Sequence, residues 1–114
     1  MTYQEISDAV GGIAGAAGCA HTYYQWAKGS APEPPYVLFY YPERRDLFAD
    51  DENYISIVKL NLELYTDAKD PERELRLEAA LTRAGLSFLK SETYLESESM
   101  YEVLYEMEVI LNGE

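Results

Sequence analysis

A chain of 114 residues, 47% of them hydrophobic, holds enough material for one domain with a packed core. Its 21 acidic residues outnumber 9 basic ones, and the net charge of -12 at pH 7 argues against nucleic-acid binding through a general basic surface. A lone cysteine, Cys19, excludes an intrachain disulfide framework and fits a reducing compartment.

Residues 2–17 read as a helix. Thr2 caps it, and Glu5 three positions on completes a capping box. Ile6, Val10, Ile13 and Ala17 form one stripe, while Gly11, Gly12 and Gly15 each weaken the helix by about 1 kcal/mol against Ala. Gly18 is its stop. The small, apolar stretch 9–20 follows Glu5 and Asp8 and has no basic leader, which argues against a signal peptide. No apolar run approaches the ~20 residues that span a bilayer, so the expected location is cytoplasmic.

Residues 22–26 predict a short strand, and 28–35, with Gly29, Pro32, Pro34 and Pro35, a loop. The nearly continuous apolar run 36–41 suits a central strand ended by Pro42. The charged stretch 43–52 reads as a long mobile loop; it carries Asp46, Asp50, Asp51, Glu52 and the only adjacent basic pair, Arg44 and Arg45. Residues 53–66 are the longest strand, with Val58, Leu60, Leu62 and Leu64 on one side and Ile57, Lys59, Asn61, Glu63 and Tyr65 on the other.

After a turn at 67–70, Asp70 caps a second helix with Pro71 in its first position. Leu77, Ala80, Leu81 and Ala84 form its core stripe, and Gly85 ends it. Residues 88–95 read as a strand interrupted near Ser91 or Glu92, and 101–111 as the last strand. The order α-β-β-β-α-β-β predicts a single α+β domain with a mostly antiparallel, or mixed, sheet and two helices packed on it.

The last strand has the clearest pattern. Tyr101, Val103, Tyr105, Met107, Val109 and Leu111 alternate with Glu102, Glu106 and Glu108, so one face is apolar and the other largely acidic. Successive carboxylates on that face lie roughly 7 Å apart, close enough to raise one another's pKa values. Such a face belongs in water, in a hydrated channel, or opposite a cationic partner. Eleven tyrosines suit either a half-buried sheet or a protein–protein interface.

Signs of catalysis are weak. His21 is the only histidine and has no motif around it; Cys19 reads as a buried, inert thiol rather than half of a Cys/His nucleophile pair. Asp46, Asp50, Asp51 and Glu52 are clustered enough to hold a hard cation loosely, but they match no EF-hand, and a solvated loop is the simpler reading. P-loop, dinucleotide, CxxC and HExxH signatures are missing from the sequence, so an enzyme is the least favoured class.

Three stretches carry a family resemblance: Pro34-Pro-Tyr-Val-Leu-Phe-Tyr-Tyr-Pro42, Leu62-Glu-Leu-Tyr-Thr-Asp-Ala-Lys-Asp-Pro-Glu72 and Glu98-Ser-Met-Tyr-Glu-Val-Leu-Tyr-Glu-Met-Glu-Val109. Between the last two lies Glu78-Ala-Ala-Leu-Thr-Arg-Ala-Gly-Leu86. Together, across residues 34–111, they resemble the small tail-completion (tail-terminator-like) proteins of siphophages and of prophages in Gram-positive bacteria. The resemblance implies a sheet flanked by helices and a homo-oligomeric ring, commonly a hexamer, that caps the tail tube and meets the head connector. It brings no catalytic, cofactor or metal residues, and it places the chain in the host cytoplasm during assembly and then in the virion tail. On this reading Arg44 and Arg45 meet the acidic face of a neighbouring copy. Glu63, Glu102, Glu106 and Glu108 face a lumen whose negative wall does not grip passing DNA. The competing reading is a small monomeric protein-binding module.

Overall fold

The computed structural model describes residues 1–49 and 53–112. The expected capping box opens helix α1 (Tyr3–Ala16): the Thr2 hydroxyl accepts from the Glu5 N–H at 3.1 Å, and the Glu5 carboxylate accepts from the Thr2 N–H at 2.8 Å. Gly18, with φ of 70°, turns the chain out of the helix through the left-handed region, where a side chain would be strained. Helix α2 (Pro71–Arg83) starts with the Asp70 carboxylate accepting from the Arg73 N–H at 3.2 Å and ends before Gly85, at φ 78°.

Six strands form one mixed sheet: β1 (Ala20–Tyr23), β2 (Tyr36–Tyr40), β3 (Arg44–Ala49), β4 (Asn53–Thr66), β5 (Leu89–Leu95) and β6 (Met100–Leu111). The order is β1-β2-β4-β6-β5, with β3 also beside β4. Only β1 and β2 are parallel; every other pairing is antiparallel. The architecture is therefore α+β with two helices and a mixed, open sheet, as the element order predicts.

Three expectations need correcting. Strand β5 runs unbroken through Ser91 and Glu92, because both pair with β6. The first strand runs from Ala20 to Tyr23 instead of over 22–26, because Tyr24 adopts φ 67° and breaks the extended backbone. The segment read as a mobile loop is in large part strand β3. It lies end to end with β2 along the same edge of β4: Tyr40 pairs with Asn61 and Arg44 with Val58. Between them the Glu43 carbonyl accepts from the Lys59 N–H at 2.8 Å. The first half of β4 presents backbone donors and acceptors that need partners, and β3 supplies them whatever its side chains are. Asp50, Asp51 and Glu52 lie outside the described residues.

The core sits between the sheet and the helices, which also pack on each other. Ile6, Val10 and Ile13 of α1 and Leu77 and Leu81 of α2 meet the even positions of β4 and the odd positions of β6. Leu60, Leu62, Leu64, Leu77, Leu81, Val103, Tyr105, Met107 and Val109 are all buried, as their stripes predict. Of the glycines in α1, Gly11 serves a close approach: a Cβ there would meet the His21 ring at 3.4 Å. The Tyr105 hydroxyl, carried into this core, donates to Glu78 Oε2 at 2.7 Å, and burial followed by that carboxylate pushes its pKa up.

Candidate functional site

Both helices lie on one face of the sheet; on the other, the segment after β1 lays Tyr24 against Tyr40 and Trp26 against Tyr36, and the rest of that face carries no helix and is open. The β4–β6 register places Tyr65 opposite Glu102, Glu63 opposite Leu104, Asn61 opposite Glu106 and Lys59 opposite Glu108. Side chains directly opposite point to the same face. Glu63, Glu102, Glu106 and Glu108 therefore do share one surface, away from the helices, and β2 adds Tyr36, Leu38 and Tyr40 to it.

At the end flanked by β2, the carboxylates are laced into tyrosines. Tyr40 donates to Glu63 Oε2 at 3.0 Å, and Tyr65 donates to Glu63 Oε1 at 2.7 Å. The Asn61 amide nitrogen donates to the Tyr40 oxygen at 3.4 Å. The Tyr65 oxygen also lies 3.2 Å from Glu102 Oε2. Tyr65 thus has one proton for two carboxylates, and Glu63 is the nearer acceptor. Burial first, and then the contact and repulsion with Glu63, push Glu102 up to about 7 from an ordinary 4.5, against a lowering pull from the Tyr65 hydroxyl. The repulsion foreseen along β6 thus acts across strands, between Glu63 and Glu102. Burial and Glu63 also raise Tyr40 and Tyr65, keeping both phenols as donors.

At the other end the carboxylates meet cations of their own chain. Lys59 Nζ lies 3.8 Å from Glu106, and Arg45 lies 3.4 Å from Glu108. These ion pairs were hidden in the sequence, where no basic residue falls among the glutamates of the C-terminal segment. Beyond them the face turns apolar: Leu47, Ile55 and Ile110 are each about half exposed, at 50%, 48% and 56%. Arg44 points to the other side of the β3–β4 hairpin, where it contacts Asp46 at 3.1 Å and donates to Ser56 Oγ at 2.9 Å. The adjacent arginines thus diverge, and each meets a carboxylate of its own chain.

The remaining sequence candidates fall apart as chemistry. Cys19 is buried; its thiol contacts the Ala17 carbonyl, and burial raises its pKa. His21 packs against Gly11 and Phe39 instead. Asp46, the described member of the loose cation cluster, is engaged by Arg44. Among the described residues no cluster of three His, Cys, Asp or Glu side chains is placed to hold a metal. The sequence reading passed over the hydroxyls of Tyr40 and Tyr65 and the amide of Asn61. A signal was present: Asn61, Glu63 and Tyr65 are the polar interruptions on the side of β4 facing away from Leu60, Leu62 and Leu64.

No family model matches the sequence, and no curated protein matches it. Among solved structures, the fold is similar to a chain of the virion of a native gene transfer agent (GTA) particle, with 19% identity and a TM-score of 0.61 over 89% of this chain and 84% of that one. At that identity the likeness bears on the fold alone, the two-helix, mixed-sheet α+β architecture described above.

Proposed function

We propose that this chain is a structural component of a phage-like particle, a tail-terminator or head–tail joining protein that acts as a homo-oligomeric ring, possible hexamers included. The observation that carries this reading is the fold likeness to a virion chain across nearly the full length of both proteins. The open face supports it. A two-layer domain leaves one side of its sheet uncovered, and here that side carries an organised polar cluster and an apolar end rather than a uniformly solvated surface. The partners that follow are further copies of the chain, the tail tube and the head connector, with assembly in the host cytoplasm; among the described residues no helix is long and apolar enough to cross a membrane.

The four carboxylates divide between two tasks. Glu106 and Glu108, at the outer end, belong to the surface that faces the channel, where their pairing with Lys59 and Arg45 leaves no free positive charge to hold DNA. Glu63 and Glu102, half-buried under tyrosines, are a poor electrostatic wall and a better contact. Arg44 and Arg45 already have carboxylates in their own chain, so a head-to-tail contact draws its positive charge from elsewhere. The test is the mass of the protein in solution over a wide concentration range, with electron microscopy of the assembled fraction. Closed rings are expected. A monomer at every concentration, alone and with tail-tube protein, would overturn the reading and favour the monomeric binding module.

A further inference from the structure

The chain has 9 basic residues. Arg44, Arg45, Lys59, Lys69, Arg73 and Lys90 are in ion pairs with carboxylates among the described residues. Two of the three that remain, Arg76 and Arg83, are both exposed on α2. They share its outer side with Leu75, Ala79 and one acidic residue, Glu72. These positions follow at helical spacing on the arc opposite the buried Leu77, Ala80 and Leu81. Leu75 is 64% exposed. In an acidic protein, one helical stripe therefore carries two arginines against a single glutamate, beside an exposed leucine.

The open sheet face is its complement. Glu63 and Glu102 lie side by side there, next to Leu104, and among the described residues neither is in an ion pair. The same cluster holds an orphaned acceptor: Asn61 is only 7% exposed, turns its amide nitrogen to Tyr40, and leaves Oδ1 without a partner. The dimensions agree as well. A helix of 13 residues is about 20 Å long, and the four strands β2-β4-β6-β5 span about 14 Å between outer axes.

We propose that the outer stripe of α2 of one copy, with Leu75, Arg76 and Arg83, docks on the Glu63–Glu102 end of the open sheet face of a second copy. The contact rests on the ring reading above and specifies its interface. It covers the Glu63–Glu102 end of the open face with a helix, leaves Glu106 and Glu108 uncovered, and gives the carboxylate pair a guanidinium partner. The two surfaces differ and lie on opposite sides of the molecule, so the contact is head-to-tail and repeats until the ring closes.

The experiment compares the solution mass of the unchanged chain with that of Arg76→Glu/Arg83→Glu, whose substitutions are both at exposed helix positions, and of Glu63→Lys/Glu102→Lys. Circular dichroism confirms folding. Each variant alone is expected to weaken assembly at least about tenfold, and mixing the two, which restores opposite charges across the contact, to recover it. If the sheet-side variant fails to fold, the helix-side variant decides alone. Unchanged assembly of Arg76→Glu/Arg83→Glu beside an assembling parent overturns this interface and leaves the ring reading standing. A parent that never assembles overturns both.

Discussion

Replacing Glu102 by Gln tests the carboxylate pair directly. In the fold, Glu102 titrates at about 7, against 4.5 for an ordinary glutamate, because it is half-buried and faces Glu63. A raised carboxyl pKa means that the folded state holds its proton more tightly than the unfolded chain. The contribution to stability is therefore fully present below about pH 4.5 and is lost as pH rises through about 7. At 1.36 kcal/mol per tenfold change in proton affinity, the full displacement corresponds to about 3 kcal/mol. Partial exposure screens the repulsion, and about 1–2 kcal/mol is the realistic size. Gln cannot ionise, so it removes the repulsion with Glu63, and its amide N–H can donate to the Glu63 carboxylate. Urea unfolding of dilute protein, followed by far-ultraviolet circular dichroism, is then expected to give equal stabilities near pH 4. Near pH 8 the Gln variant is more stable by about 1–2 kcal/mol. Parallel stability–pH curves, or a variant less stable near pH 8, would refute the coupling of Glu102 to Glu63.

Leu62 is fully buried opposite Tyr105, so Leu62→Ala is expected to cost about 2–5 kcal/mol in the same urea assay; a loss under about 0.5 kcal/mol would contradict its place in the core. Glu74 is 3% exposed and bridges Lys69 at 2.6 Å and Lys90 at 2.9 Å; burial alone would raise its pKa, and the two lysines outweigh it and hold it low. That stabilisation is present above its ordinary titration range and is lost as pH falls through the folded value. Glu74→Gln is thus expected to cost about 1–2 kcal/mol near neutrality and to flatten the acid side of the profile. An unchanged acid limb would show that the lysines stabilise nothing.

The sequence disclosed most of the fold where local rules and tertiary demands coincide. Leu60, Leu62 and Leu64 alternate with polar residues in β4, Val103, Tyr105 and Met107 do so in β6, and both strands appear with the expected face buried. Thr2, Glu5, Asp70 and Pro71 mark helix starts by side-chain chemistry that acts within one turn. Strand β3 was not legible, since Arg-Arg-Asp-Leu-Phe-Ala has neither alternation nor high strand propensity. Its conformation comes from the edge of β4 that it satisfies. The open face was half legible. Alternation revealed which glutamates share a side, but only the register between β4 and β6 brings Glu63 beside Glu102, and only the β3 pairing brings Arg45 to Glu108.

The distribution of charge also limits how copies can meet. A two-fold pairing through the open faces would set Glu63 and Glu102 of one copy against those of the other, four carboxylates in one dehydrated layer. That contact joins like charges, and a net charge of -12 deepens the repulsion. The unlike contact, helix stripe on open sheet, joins opposite charges while covering Leu75 and Leu104. Unlike contacts cannot end in a dimer, because each copy keeps one free surface of each kind until a closed ring uses them all. The asymmetry of this fold, with helices on one side of the sheet and none on the other, is thus the same asymmetry that would give the proposed ring its direction.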